Sequence, residues 1–430
     1  MLMQSLRIFL AGLLVLGAAM LIQGSAVFAS QKEKVIYSTQ ANSLGAAPSI
    51  GATDESGNLY GVTFSISHGV VFELSPAGNS WTEKTLHIFL GPPDGLEPTG
   101  LVRDSAGNLY GMTAFGGTGN ASSCTAHCGI VFELSPNADG SWTETILYNF
   151  TGGQDGGNPY GGLVLDKAGN LYGTSPYSGL NKGIVFRLSP SNGSWTYQRL
   201  YSFGEGGKQD GKYPFSNVTI DSNGNLYGTT SAGGIRNEGT VYELTPSASG
   251  DWTETILYEF GSVRNDGAYP DGGLIFDAQG NLYGVTGYGG GQCKEWAALG
   301  CGTVFELTPT QSGWQETTLY RFRGWPDGAN PDYTLVFDAI GNLYGASSGG
   351  GPAKCLGPCG TVFKLTPTQS GWTETVLHSF RGSPDGNHPA SSLIFGLDGL
   401  LYGSTGWGGT GTCVAPDGIT GCGTIYEVQP

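Results

Sequence analysis

The hydrophobic positions of this chain fall in short runs, rich in β-branched and aromatic residues and bounded by Gly, Pro, Asn, Asp or Ser, which is the pattern of strands. Four such runs follow one another in fixed order. In one period they are Gly162–Asp166, Asn170–Thr174, Gly183–Leu188 and Trp195–Phe203, here termed strands a, b, c and d. The sequence Gly-Asn-Leu-Tyr-Gly, which leads into strand b, occurs six times, with its Asn at Asn58, Asn108, Asn170, Asn225, Asn281 and Asn342. A seventh copy has Leu400 in the Asn place. The six intervals from Asn58 to Leu400 average 57 residues, and self-similarity at a fixed period marks a repeat architecture.

The connections are as regular as the runs. Asp-x-x-Gly-Asn between a and b reads as a tight hairpin in which Gly and Asn supply positive φ. Strand c ends in Ser-Pro or Thr-Pro, at Pro76, Pro136, Pro190, Pro246, Pro309 and Pro367, where a missing N–H stops the ladder before the Trp that opens strand d. After d comes Asp-Gly-x-x-Pro, at Asp94, Asp155, Asp210, Asp266, Asp327 and Asp385, leading to the next a. Four antiparallel strands per period predict an all-β, seven-bladed β-propeller, with blades near 47–89, 99–150, 160–203, 215–260, 271–322, 332–380 and 390–428 plus 33–39.

Ring closure is written in the two ends. The last repeat stops after strand c, Gly423–Val428, and lacks a strand d. Glu33-Lys34-Val35-Ile36-Tyr37 lines up with Glu83-Lys84-Thr85-Leu86-His87 of the first repeat and is expected to fill that place.

Residues 1–29 read as a secretory signal peptide: Arg7 is the positive end, Ile8–Ile22 the apolar stretch, and Val27-Phe28-Ala29 the small-residue spacing before Ser30. No Cys follows the apolar run and no apolar tail precedes Pro430, so secretion without a stable membrane anchor is expected. Gly makes up 75 of 430 residues and charged residues only 13%, which suits short strands and tight turns. A formal charge of −16 disfavours nucleic acid and anionic membrane surfaces.

The period resembles the GloVer tandem repeat of secreted or surface proteins of bacteria. The residues that carry the likeness are Gly224–Thr230 (Gly-Asn-Leu-Tyr-Gly-Thr-Thr), Gly239–Pro246 (Gly-Thr-Val-Tyr-Glu-Leu-Thr-Pro), and Asp266-Gly267 with Pro270. Asp-x-x-Gly-Asn-Leu-Tyr is also similar to the inner hairpin of bacterial sensor propellers. The resemblance covers the mature chain and implies no assigned activity.

Eight Cys fall in pairs between strands b and c: Cys124 with Cys128, Cys293 with Cys301, Cys355 with Cys359, and Cys413 with Cys422. In an exported chain these read as disulfides. The alternative is metal, with His127 inside the first loop, but each loop offers only two or three ligands where a closed site needs four. The Asp-Gly-x-x-Pro loops invite calcium, yet each presents one acid, and an Asx-type turn is the simpler reading. The repeated Trp (Trp81, Trp142, Trp195, Trp252, Trp314, Trp372) reads as blade-on-blade packing, and His87 and His378, standing where strand d usually has Tyr, read as core substitutes.

Function is therefore sought in unrepeated residues. With alternating strand directions, the b–c and d–a loops emerge on one face. Its candidates for ligand binding are Arg236, Arg264, Glu295, Trp296, Arg323, Trp325, Lys354, His388 and Trp407, with the three Trp placed to stack on sugar rings. No His-Glu-x-x-His occurs, and His numbers only five. No catalytic residue, metal or cofactor is assigned. The expectation is a secreted, monomeric binding or adhesion module for an extracellular glycan or protein. Two alternatives stand beside it: a polysaccharide hydrolase or lyase, which predicts two acids facing each other in the loop-bearing pocket, and a structural envelope component.

Overall fold

The computed structural model describes residues 33–40, 45–64, 69–119, 124, 127–177, 182–207, 209–294, 299–352, 359–414 and 418–430. The signal-peptide reading lies outside them. Among the described residues every regular element is a strand, arranged in seven antiparallel four-stranded blades around a ring. Blade 1 runs Ala46–Thr53, Leu59–Phe64, Val70–Ala77 and Ser80–Ile88. In blade 3 strand a shortens to Val164–Leu165, followed by Leu171–Ser175, Ile184–Ser191 and Ser194–Ser202.

Burial explains each strand's composition. Strand c is covered on both faces, so Ile130, Val131, Phe132 and Leu134 are all fully buried and the run reads as continuously apolar. Strand d lies at the outer edge and alternates between half-buried and exposed positions, as in Trp142–Asn149. The core is divided among seven apolar clusters, each straddling two blades; one joins Met112 and Val131 of blade 2 to Leu171, Phe186 and Leu188 of blade 3. The Trp of strand d meets the strand b Tyr of the preceding blade edge-on, as in Trp142 with Tyr60 at 6.3 Å and Trp195 with Tyr110 at 6.0 Å.

The two ends close the ring as expected. Glu33–Ser38 pairs antiparallel with Thr424–Val428, with Val35 opposite Tyr426 and Tyr37 opposite Ile425. The ladder skips Ile36, and each complete c–d ladder carries a bulge at the matching place, as between Val241 and Tyr242. Ile36 and Tyr37 then pack with Ile50, Leu59 and Phe72 of blade 1, so the seam is filled like any other junction.

Three expectations need correction. In the a–b turn only Gly takes positive φ, as at Gly341 (88°); the neighbouring Asn does not. The Asn serves as a donor instead. In blade 6 Asp338 Oδ1 accepts the N–H groups of Ile340 and Asn342, and Oδ2 accepts the Asn342 amide (2.6 Å) and the Tyr344 hydroxyl (2.9 Å). The motif Asp-x-x-Gly-Asn-Leu-Tyr is one hydrogen-bonded unit. Blade 7 lacks the Asn, and there Asp398 accepts from Leu400 N–H and Tyr402. Second, His87 and His378 are not core residues: each turns Nε2 to the Asp of its own Asp-Gly-x-x-Pro loop, Asp94 at 3.3 Å and Asp385 at 3.2 Å. Tyr148, Tyr258 and Tyr320 donate to Asp155, Asp266 and Asp327 in the same way. Third, those Asp also accept a backbone N–H four residues upstream, as Asp266 does from Ser262, so they cap the loop backwards rather than making a forward Asx turn.

Candidate functional site at the channel mouth

The b–c and d–a loops lie on one face and zip together: Gly211–Lys212 pairs with Ala232–Gly233, Gly267–Ala268 with Tyr288–Gly289, and Gly328–Ala329 with Gly349–Gly350. The proline of Asp-Gly-x-x-Pro then leads the chain to the ring axis. It packs on the Gly that opens strand c of the preceding blade, and at Gly239 a Cβ would sit only 2.4 Å from Pro270. The residue before the proline has φ between 50° and 62° in all seven blades: Ala47, Glu97, Asn158, Tyr213, Tyr269, Asn330 and His388. A side chain there costs on the order of 1 kcal/mol. An inter-blade hydrogen bond offsets it, since the N–H of Tyr269 donates to Glu238 O (2.8 Å) and that of Asn330 to Cys301 O (2.9 Å).

The residue after the proline is thereby delivered to the mouth of the central channel. Around the ring it is Ser49, Thr99, Tyr160, Phe215, Asp271, Asp332 and Ala390, and all seven line a single cavity of about 450 Å³. The mouth is divided into arcs. Blades 2 to 4 supply an aromatic arc in which Phe115, Tyr160, Tyr177, Tyr213 and Phe215 touch in sequence, with ring centroids 5.5–6.4 Å apart. Blades 5 and 6 supply Asp271 and Asp332. Blades 7 and 1 supply the small Ala390 and Ser49.

Among the described residues no Lys, Arg or His lines the cavity to neutralise the acidic arc. Enclosure by the wall and the neighbouring charge of Asp332 push the Asp271 carboxyl up to about 7. Enclosure pushes Asp332 up to about 6, against a hydrogen bond from Ser348 (2.8 Å) that favours the ion. Asp271 Oδ1 is shielded from solvent and has no hydrogen-bond partner. Burial, Tyr213 and the charge of Asp271 together raise the Tyr177 hydroxyl, so the two arcs are in electrostatic contact. Each carboxyl can accept hydrogen bonds from hydroxyls and, with its value raised toward neutral pH, serve as acid or base.

The residues singled out from sequence distribute differently. His388, the residue before the blade 7 proline, donates its N–H to Cys359 O (3.0 Å), and Trp407 pairs with the adjoining Asn387; neither lines the channel cavity. Trp325 does not line the channel; Lys294 Nζ sits 5.4 Å over its ring and donates to its carbonyl oxygen (3.1 Å). Arg323 borders a separate hollow with Lys294 and Arg321, and Arg236 and Arg264 are exposed. Glu295, Trp296 and Lys354 lie outside the described residues. Asp271, Asp332 and the aromatic arc were missed. For Tyr160, Phe215, Asp271 and Asp332 the signal was the position after the motif proline, where the residue type changes almost from blade to blade.

Disulfides join Cys124 to Cys128, Cys293 to Cys301 and Cys413 to Cys422. Cys359 is also disulfide-bonded, and Cys355 lies outside the described residues. His127 Nδ1 meets Gly119 O at 2.9 Å.

The model of the Gloeobacter/Verrucomicrobia repeat matches residues 65–297 and 293–430, most of the chain. The chain belongs to this repeat family. Among curated proteins none matches it. In fold, the family member is similar to the extracellular domain assigned to a one-component system from B. thetaiotaomicron, at 10% identity and TM-score 0.55, covering 92% of this chain and 40% of that one. It is also similar to a protein from Lactobacillus plantarum, at 13% identity and TM-score 0.47, covering 80% and 86%. Every described cysteine is disulfide-bonded, which suits an oxidising compartment, and no helix among the described residues is long and apolar enough to cross a membrane.

Proposed function

We propose that this repeat protein is an extracellular binding module that takes a neutral glycan at the channel mouth. The observation that carries the reading is the mouth's composition: among the described residues the lining brings together Tyr160 and Phe215, which Tyr177 packs against, the carboxyls of Asp271 and Asp332, and several hydroxyls, with no cation. Sugars offer apolar ring faces and hydroxyl donors, and the arcs are complementary to both. An anionic ligand such as a phosphate or uronate would meet acids only. Disulfides and the N-terminal apolar stretch support export. A glycan array followed by calorimetry tests this. Binding by the wild type that weakens at least tenfold in Tyr177→Ala and in Asp271→Asn is expected. Absence of binding across neutral glycans, or affinity unchanged in both variants, overturns it.

A second reading, hydrolysis of a polysaccharide, is favoured by the carboxyl pair itself: neighbouring acids near pH 6 and 7 are suited to general acid and base roles. It predicts reducing-sugar release near pH 6 that Asp271→Asn and Asp332→Asn each abolish while binding persists.

A further inference from the structure

At the blade junctions on the outer rim, three side chains meet: the strand d Tyr or His, the Asp of the following loop, and a Glu from strand d of the next blade. In Tyr201–Asp210–Glu254 the phenol bridges the two acids, at 3.4 Å and 3.0 Å. His takes the Tyr place in His378–Asp385–Glu33 and in His87–Asp94–Glu144, and in both one ligand atom from each residue lies within 4.8 Å of the others.

The first of these differs from all the rest in its Glu. Glu33 belongs to the N-terminal strand that closes the ring, and its side chain is only 3% exposed. Oε1 is shut off from solvent without a hydrogen-bond partner, and Oε2 lies 3.7 Å from His378 Nε2. His378 Nε2 is in turn 3.2 Å from both carboxylate oxygens of Asp385. A buried carboxylate aimed at an imidazole and a second carboxylate, with its Oε1 unpaired, is an arrangement that a cation would complete. A hollow of about 590 Å³ adjoins the cluster and gives an ion and its water a way in. Lys34, which also borders it, is engaged by Glu427 at 3.3 Å, leaving Arg381 as the opposing charge.

We propose that Glu33, His378 and Asp385 form a site for a divalent first-row metal ion, with Zn²⁺ as the reference ion, which clasps the N-terminal strand to blade 6 across the closing seam. One imidazole nitrogen and two carboxylates are a Zn²⁺ donor set with a fourth position left for water, whereas Ca²⁺ and Mg²⁺ take oxygen ligands. Glu144 at the other His junction is only half-buried, and that cluster is not part of the proposal.

The test uses the full chain, apo after EDTA dialysis, with ZnCl₂ as the probe. Expected are one ion bound per chain by calorimetry and a rise in Tm of about 3–5 °C at a hundredfold excess over Kd, reversed by EDTA. His378→Tyr restores the residue of the neighbouring junctions, so it should fold; it and Glu33→Gln should lose both the ion and the shift, while His87→Tyr keeps them. No Zn²⁺ binding by the wild type, or undiminished binding and shift in His378→Tyr, overturns the proposal.

Discussion

The outer rim and the channel mouth use the same seven-fold backbone in opposite ways. At the rim, structurally equivalent positions carry nearly the same side chains: Tyr or His in every blade, and Asp and Glu each in six of the seven. At the mouth, the position after the motif proline carries Ser, Thr, Tyr, Phe, Asp, Asp and Ala. Repetition follows contacts that each blade must make with the next. Where the backbone delivers a side chain into the channel, no neighbouring blade constrains it, and the residues diverge.

Two aspartates of blade 6, six residues apart, offer the strongest way to break this comparison. Asp338 is the repeated one. Burial works against its charge, but hydrogen bonds from Asn342, Tyr344 and Ile340 more than offset it and hold the carboxyl below the usual range. Asp338→Ala strands those donors and should lower stability by about 2–4 kcal/mol. Asp332 is the unrepeated one, and its ionised form is disfavoured where it stands. Asp332→Asn should leave stability unchanged or slightly higher at pH 8. Denaturant unfolding of both variants decides it; equal losses would mean that the mouth is as structural as the turn.

The same contrast sets how much was legible in the sequence. Blade number, strand order and the closing strand could be read because each repeats or completes a repeated pattern, down to the match of Glu33–Tyr37 with Glu83–His87. The Asn of the turn was misassigned because its amide is satisfied by a side chain four residues back, which propensity for positive φ does not reveal. His378 was taken for a core residue because substitution for Tyr suggests packing, whereas what the two share is a polar tip turned to Asp385. The aromatic arc was overlooked because Tyr160, Tyr177 and Phe215 come from three different connections, and only the inter-blade bonds that hold the residue before each proline bring them together.

A smaller effect sharpens the comparison through pH. At the Tyr junctions burial, then the charges of Asp210 and Asp327, push Glu254 and Glu374 each up to about 7. A carboxyl whose value rises on folding favours the folded state while protonated, so this stability is present below the unfolded value near 4.5 and is lost as pH climbs to about 7. After allowance for solvent screening the loss is on the order of 1 kcal/mol per junction. Melting curves should therefore give a lower Tm at pH 8 than at pH 5. Glu254→Gln with Glu374→Gln should flatten that slope and raise Tm at pH 8. An unchanged slope would show that the rim acids are already ionised in the folded protein.

The smallest expected effect concerns Trp325. It is conspicuous in sequence and 42% exposed, yet it stands off the channel with Lys294 over its ring. A cation on an exposed aromatic contributes about 0.5–1 kcal/mol, so Trp325→Ala should lower stability by no more than that and leave glycan affinity unaltered. Trp407→Ala, by contrast, removes an aromatic whose strand end pairs with Asn387 beside the mouth, and should weaken the same ligand severalfold. Calorimetric titration of the two variants side by side separates the surfaces. If the loss of affinity followed Trp325 instead, recognition would belong to the outer loops, and the carboxyl pair and aromatic arc would have to be read as lining alone.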